Sequence, residues 1–171
     1  MRIRCVGIDP SLTGLAIWTS NGDVGEFSSE NFGPKATDRL QRYEALTTEV
    51  LDVLWPHEPE LIVIEANQGL IKGNAIQLVE FSWYLKSRLL QTFTDCRLIE
   101  VPPTSLKKWV TGSGSADKAA VSSFLSAKYG EVLETNNQAD AFGLLQFGRG
   151  LLGDIGTTKA QKAVYAKLEL L

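Results

Sequence analysis

Three carboxylates stand in settings that give them little structural reason to be there. The largely apolar run Ile3–Ile8 stops at Asp9, and the run Leu61-Ile62-Val63-Ile64 stops at Glu65. Each run has the content of a buried strand, which puts one acid at each C-terminal end, where open α/β sheets form their ligand crevices. The third acid, Asp140, falls in Asn136-Asn137-Gln138-Ala139-Asp140-Ala141-Phe142, near the start of a segment that continues as an apolar helix. A carboxylate beside apolar residues costs free energy unless it is paired or bound to an ion. Three of them so placed can converge on a divalent cation with oxygen ligands. Taken singly, each has an ordinary reading. An Asp after a strand is commonly a turn or cap residue, and Asp140 could complement a helix dipole. Glu65 fits such readings poorly, because Glu is a weak turn former. The joint occurrence is the signal.

The elements that must position these groups follow from periodicity. Residues 2–9, 13–19 and 23–29 read as short strands separated by Pro10-Ser11 and Asn21-Gly22; the second pair is a hairpin signal, since both residues tolerate positive φ. Residues 36–55 carry Leu40, Tyr43, Leu46, Val50 and Leu54 at helical spacing and end before Pro56. Leu61–Ile64 reads as a central strand, residues 74–92 as a helix and 97–101 as a strand. Pro102-Pro103 breaks that strand, and Thr104 is the expected N-cap of a short helix to Val110. Helices are expected at 116–129, 137–149 and about 158–170. Strands followed by alternating helix and strand predict one mixed α/β sheet with helices on its faces. With no repeat or linker, residues 1–171 read as one domain, about 151–171 forming a C-terminal helical extension on the body or on a partner.

Composition sets further bounds. The 171 residues are 44% hydrophobic, enough for one ordinary core. No apolar run reaches the ~18 residues of a transmembrane helix, and the N-terminus lacks a signal-peptide pattern. Cys5 and Cys96 belong to no metal or redox spacing, so a reduced, intracellular setting is expected, whether cytoplasmic, phage-encoded or organellar. A net charge of −3 is unusual for a nucleic-acid binder. Its distribution is less so: residues 1–60 hold ten acids against five bases, whereas residues 61–128 hold eight bases against five acids. A basic middle on an acidic body can present a DNA-facing surface.

The motifs resemble those of a known family. Gly7-Ile8-Asp9-Pro10-Ser11-Leu12-Thr13-Gly14 resembles the opening of the RuvC Holliday-junction resolvases, and Ile62-Val63-Ile64-Glu65 the strand bearing their second acid. Leu106-Lys107-Lys108-Trp109-Val110-Thr111-Gly112-Ser113-Gly114-Ser115-Ala116-Asp117-Lys118 is similar to their two-lysine, glycine-punctuated loop, and Gln138-Ala139-Asp140-Ala141-Phe142 to the helix with the last acid. The matches run in order from residue 5 to about 150 and leave the final twenty residues outside. The resemblance implies an RNase H-like α/β fold, a five-stranded mixed sheet flanked by helices. It also implies Mg²⁺ or Mn²⁺ and endonucleolytic hydrolysis of branched DNA. By position, Asp9, Glu65 and Asp140 become the metal-binding and catalytic carboxylates. Lys107 and Lys118 become catalytic lysines, and Lys72, Lys107, Lys108 and Lys118 the DNA-binding set. In such a centre two cations about 3.5–4 Å apart activate the attacking water and stabilise the leaving oxygen.

Departures from the family pattern shape the remaining expectations. Where many relatives carry an acid or His three residues before the last Asp, this chain has Asn137, an amide that can offer a metal an oxygen but no charge. His57, in Trp55-Pro56-His57-Glu58-Pro59, reads as a surface residue. The segment after Glu65 has no aromatic wedge, leaving Leu70 or Ile71 for that role. Helix 74–92 groups Phe81, Tyr84 and Leu85 as a core stripe or as the interface of a homodimer. The substrate could equally be a flap, a fork or an RNA–DNA hybrid, or the domain could bind nucleic acid without cutting it. Asp9-x-Ser11-x-Thr13-Gly14 also resembles the first phosphate loop of actin-like ATPases and sugar kinases. Those proteins need two such lobes, and one copy is present here.

Overall fold

The computed structural model describes residues 3–28, 36–67 and 75–170. Five strands form one sheet: β1 (Cys5–Asp9), β2 (Leu15–Thr19), β3 (Val24–Phe27), β4 (Leu61–Glu65) and β5 (Arg97–Val101), in the order β3-β2-β1-β4-β5. The first three form an antiparallel meander, while β1, β4 and β5 run parallel. Among the described residues, six α-helices cover it: α1 (Ala36–Leu54), α2 (Ala75–Thr92), α3 (Pro103–Thr111), α4 (Lys118–Tyr129), α5 (Asn136–Leu151) and α6 (Lys159–Lys167), with a 3₁₀ turn at Trp55–His57. This is the expected five-stranded mixed α/β sheet flanked by helices.

Strand parity divides the core. Val6, Ile8, Ile62 and Ile64 pack with Tyr43, Leu46, Val50 and Leu54 of α1 and Phe81, Leu85 and Leu89 of α2. Cys5, Leu61 and Val63 face the other way, into a cluster with Leu106 and Trp109 of α3, Leu125 of α4, Leu145 and Phe147 of α5, and Tyr165 of α6. Because successive strand residues alternate faces, Asp9 and Glu65 take the side of Cys5 and Leu61, the side that α5 covers.

Several expectations are corrected. Phe81 and Leu85 are fully buried against the sheet and cannot form an interface, while Tyr84 is half-buried and bonds Glu44 of α1. The large apolar residues α2 exposes are Ile76, Trp83 and Leu90, spaced by seven and so aligned on one stripe. His57 is buried rather than on the surface. Its Nε2 lies 3.4 Å from Ser20 Oγ and its Nδ1 accepts from Asn21 Nδ2 at 3.1 Å, beneath the β2–β3 hairpin. Burial lowers its pKa and keeps it neutral. Pro102, not Thr104, occupies the N-cap of α3, with Pro103 at the first helical position, where its missing N–H costs nothing. Helix α4 begins at Lys118 instead of 116, because Asp117 caps it by accepting from Ala120 N at 2.7 Å. In the hairpin, Gly22 alone takes positive φ.

The last helix is no appendage. Tyr165 is buried and donates to the Phe147 carbonyl at 2.9 Å, and Gln161 Nε2 donates to the Trp109 carbonyl at 3.1 Å. Helix α6 thus completes the core beneath α3 and α5. Among the described residues, no helix is long and apolar enough to cross a membrane.

Candidate active site

Two strands and one helix bring the acids together. In the parallel pairing of β1 with β4, Ile8 lies opposite Ile64, so the next residues, Asp9 and Glu65, end adjacent strands at the same level and on the same face. Neighbouring strands lie about 4.8 Å apart, which sets the scale of their separation. Helix α5 crosses β1 antiparallel and very close. A methyl group on Gly7 would come within 2.0 Å of the Ala141 carbonyl oxygen and 2.4 Å of Leu145 N. One on Gly148 would meet Cys5 Sγ at 2.5 Å. Bare backbone at these two positions seats the helix on the strand and places Asp140, the residue before Ala141, beyond the end of β1 beside Asp9.

The electrostatics follow from this packing. Burial, then the charges of Glu65 and Asp140, push Asp9 up to about 8. Burial, then Asp140, push Glu65 up to about 7. Asp140 is also raised by burial, with Lys118 and Lys107 opposing. Lys118, the first residue of α4, brings Nζ to 3.4 Å from Asp140 Oδ2. Lys107 lies on α3, and its charge favours the ionised forms of Glu65 and Asp140. Between the two lysines, Thr111 Oγ1 donates to the Ser113 carbonyl at 3.1 Å, and the Ser113 and Ser115 hydroxyls lie 3.1 Å apart, folding the glycine-serine loop on itself.

Five sequence-selected residues, Asp9, Glu65, Asp140, Lys107 and Lys118, thus gather at one end of the sheet. Lys108 faces elsewhere: it is exposed and lines a cleft with Phe124, Lys128 and Thr158. Lys72, Leu70 and Ile71 lie outside the described residues. Asn137 packs on the loop after β1, its Nδ2 only 2.3 Å from where a methyl on Gly14 would stand. That same Gly14 position is 3.6 Å from Glu26 Oε1, a fourth carboxylate at the rim that sequence reading passed over. Glu26 sits on an exposed edge strand, where an acid is unremarkable; its contacts with residues more than a hundred positions away left no local signal.

Among the described residues, no three His, Cys, Asp or Glu side chains are drawn close enough to enclose an ion as they stand. The donor chemistry nevertheless suits a cation. Asp9 is buried and Glu65 and Asp140 are partly buried; desolvation and their like charge raise their proton affinities, opposed mainly by Lys118 and Lys107. A hard divalent ion with oxygen ligands would relieve that repulsion. Carboxylates and an amide, without sulfur or imidazole, fit Mg²⁺ or Mn²⁺ better than a softer metal.

No family model matches the chain. Among solved structures it is similar to Thermus thermophilus RuvC at 20% identity and TM-score 0.65, covering 98% of both chains. It is likewise similar to the T. thermophilus RuvC complex with Holliday junction substrate at 18% identity and TM-score 0.65, covering 98% of this chain and 97% of that one. The yeast mitochondrial Holliday junction resolvase follows at 12% identity and TM-score 0.58, with 98% and 81% covered. At 98% coverage the final helix lies within the structural likeness, although the sequence motifs stop near residue 150. The chain therefore has the fold of these RuvC and Holliday junction resolvase structures.

Proposed function

We propose that this chain is a metal-dependent endonuclease that hydrolyses phosphodiester bonds in branched DNA, the Holliday junction above all. The observation that carries the reading is the convergence of Asp9, Glu65 and Asp140 with Lys107 and Lys118 at the carboxyl end of β1 and β4. That end belongs to a fold shared with a resolvase captured on junction DNA.

Asp9, Glu65 and Asp140 would hold the cations, with Asn137 offering an uncharged oxygen at the rim. The bound ions supply Lewis acidity for the attacking water and the leaving oxygen. The chain's own residues do the rest. The backbone that carries the carboxylates is fixed by two strands and a glycine-seated helix, so only their side chains would need to turn to take an ion. Lys118, once Asp140 has a different counter-charge, has an ammonium to offer the phosphate oxygens as negative charge develops. Lys107 flanks the same space from α3 and draws the DNA backbone toward it.

Cutting both strands of a four-way junction symmetrically requires two such centres, so the chain would work as a C2 homodimer. The exposed Ile76–Trp83–Leu90 stripe of α2 is the self-complementary surface for it.

A cleavage panel tests the substrate: four-way, three-way, flap, single-stranded and RNA–DNA hybrid substrates with Mg²⁺ or Mn²⁺. Preferential, paired cuts in the four-way junction support the reading; preference for the hybrid or for flaps overturns it.

A further inference from the structure

Resting on that reading of the metal centre, we propose that Glu26 of β3 is a positioning residue that holds the first turn of α5, and with it Asp140, in register with the strand ends. Thr135 Oγ1 donates to the Glu26 carboxylate, 3.2 Å from Oε1 and 3.1 Å from Oε2. Gln138 Nε2 donates to Glu26 Oε2 at 3.1 Å. Thr135 is the N-cap of α5, and its hydroxyl oxygen accepts from Gln138 N at 3.1 Å. Gln138 Oε1 in turn accepts from Glu134 N at 3.1 Å. One carboxylate thereby gathers the cap residue and the third helical residue of α5 and ties both to the outer strand of the sheet.

The position matters because of what the helix carries. Farther along, α5 is seated by Gly7 beneath Ala141 and by Gly148 above Cys5. Its first turn, with Asn137 against Gly14, runs beyond that support toward the rim of the acidic end. Asp140 lies between the two anchorages. A metal ligand displaced by a fraction of an ångström weakens the whole coordination set, so groups that orient ligands count nearly as much as the ligands.

Glu26 also adds to the like charge that pushes Asp9 up. An anion beside an already crowded acidic centre works against the ionised acids, and this chain nevertheless has one there. Its benefit is at the helix end, where its side-chain oxygens accept from both Thr135 and Gln138. The hydrogen-bonding role thus predicts that an uncharged acceptor of the same length will serve.

The test is calorimetric titration of Mn²⁺ into the full chain, comparing wild type with Glu26→Ala, Glu26→Gln, Gln138→Ala, the double variant Glu26→Ala/Gln138→Ala and Asp140→Asn. Glu26→Ala should bind Mn²⁺ about ten-fold or more weakly, as expected when a ligand-orienting group is lost. Glu26→Gln should stay close to wild type. Gln138→Ala should also weaken binding, and the double variant should be no worse than Glu26→Ala alone, because the two side chains act as one unit. If Asp140→Asn loses binding while Glu26→Ala and Gln138→Ala titrate like wild type, the positioning role is overturned and the centre stands. Equal losses in Glu26→Gln and Glu26→Ala also overturn it, since charge rather than hydrogen bonding would then matter. If Asp140→Asn itself titrates like wild type, the metal-centre reading fails, independently of Glu26.

Discussion

Lys118 holds its ammonium 3.4 Å from Asp140 Oδ2, joining the first residue of α4 to the second turn of α5. The lysine is largely exposed while the aspartate is mostly buried, so the pair brings a mobile cation to a fixed anion. Removing Lys118 should harm the chemical step more than substrate binding. Lys118→Ala is expected to lower the single-turnover cleavage rate by about 100-fold or more, the scale of losing one group that stabilises developing charge. Junction affinity should change by only a few-fold. Equal losses in affinity with an unchanged single-turnover rate would make Lys118 an ordinary phosphate contact.

The seat of α5 on β1 gives a prediction about stability. Gly7→Ala would drive a methyl into the Ala141 carbonyl, and backbone on both sides leaves nothing flexible to yield. The cost should reach or exceed the ~1–3 kcal/mol usual for overpacking a core. Denaturant unfolding would measure it, and Mn²⁺ affinity should fall in parallel as Asp140 moves off the strand ends. A Gly7→Ala protein with wild-type stability would contradict the close helix–strand contact.

A pH dependence follows from Asp9. Its carboxyl titrates near 3.8 in the unfolded chain and about 8 in the folded one, chiefly because it is buried. Between those values the native state holds a proton that the unfolded state has released. Without metal, its contribution therefore makes stability fall as pH rises through that window. Asp9→Asn removes the titration. In chelator, wild type should lose melting temperature relative to Asp9→Asn from about pH 5 to about pH 8. Adding Mg²⁺ or Mn²⁺ should restore wild type but not the variant. A difference that is flat across this range would contradict the burial of Asp9 as an anion-repelling site.

The three acids were legible because each interrupts an apolar pattern, and the sheet followed from the same runs. Other features depended on tertiary contacts that leave no local trace. Trp55-Pro56-His57-Glu58-Pro59 has the composition of a surface loop, yet His57 is buried beneath the β2–β3 hairpin. Helical spacing grouped Phe81, Tyr84 and Leu85 correctly, but spacing does not say which stripe of an aromatic helix meets the sheet. Glu26 was invisible for the opposite reason: its edge strand alternates in the ordinary way, and Thr135 and Gln138 find it only after α5 has crossed the molecule.

Assembly can be tested on the exposed stripe of α2. Trp83→Glu changes a residue that is 67% exposed, with the Lys86 ammonium 4.3 Å from its ring centre, so the fold should tolerate it. Light scattering at micromolar concentration should report a dimer for wild type and a monomer for the variant, with unchanged circular dichroism. A monomeric wild type would remove the basis for symmetric junction cleavage.

Asp9 and Glu65 are proposed to act through the ions they would hold, not through DNA binding. Single-turnover cleavage of a four-way junction in Mg²⁺ by Asp9→Asn and Glu65→Gln, with junction affinity measured in parallel, tests it most directly. Both variants should lose cleavage while binding the junction within a few-fold of wild type, since the lysine surface is untouched. Cleavage by either variant at close to the wild-type rate would contradict the account.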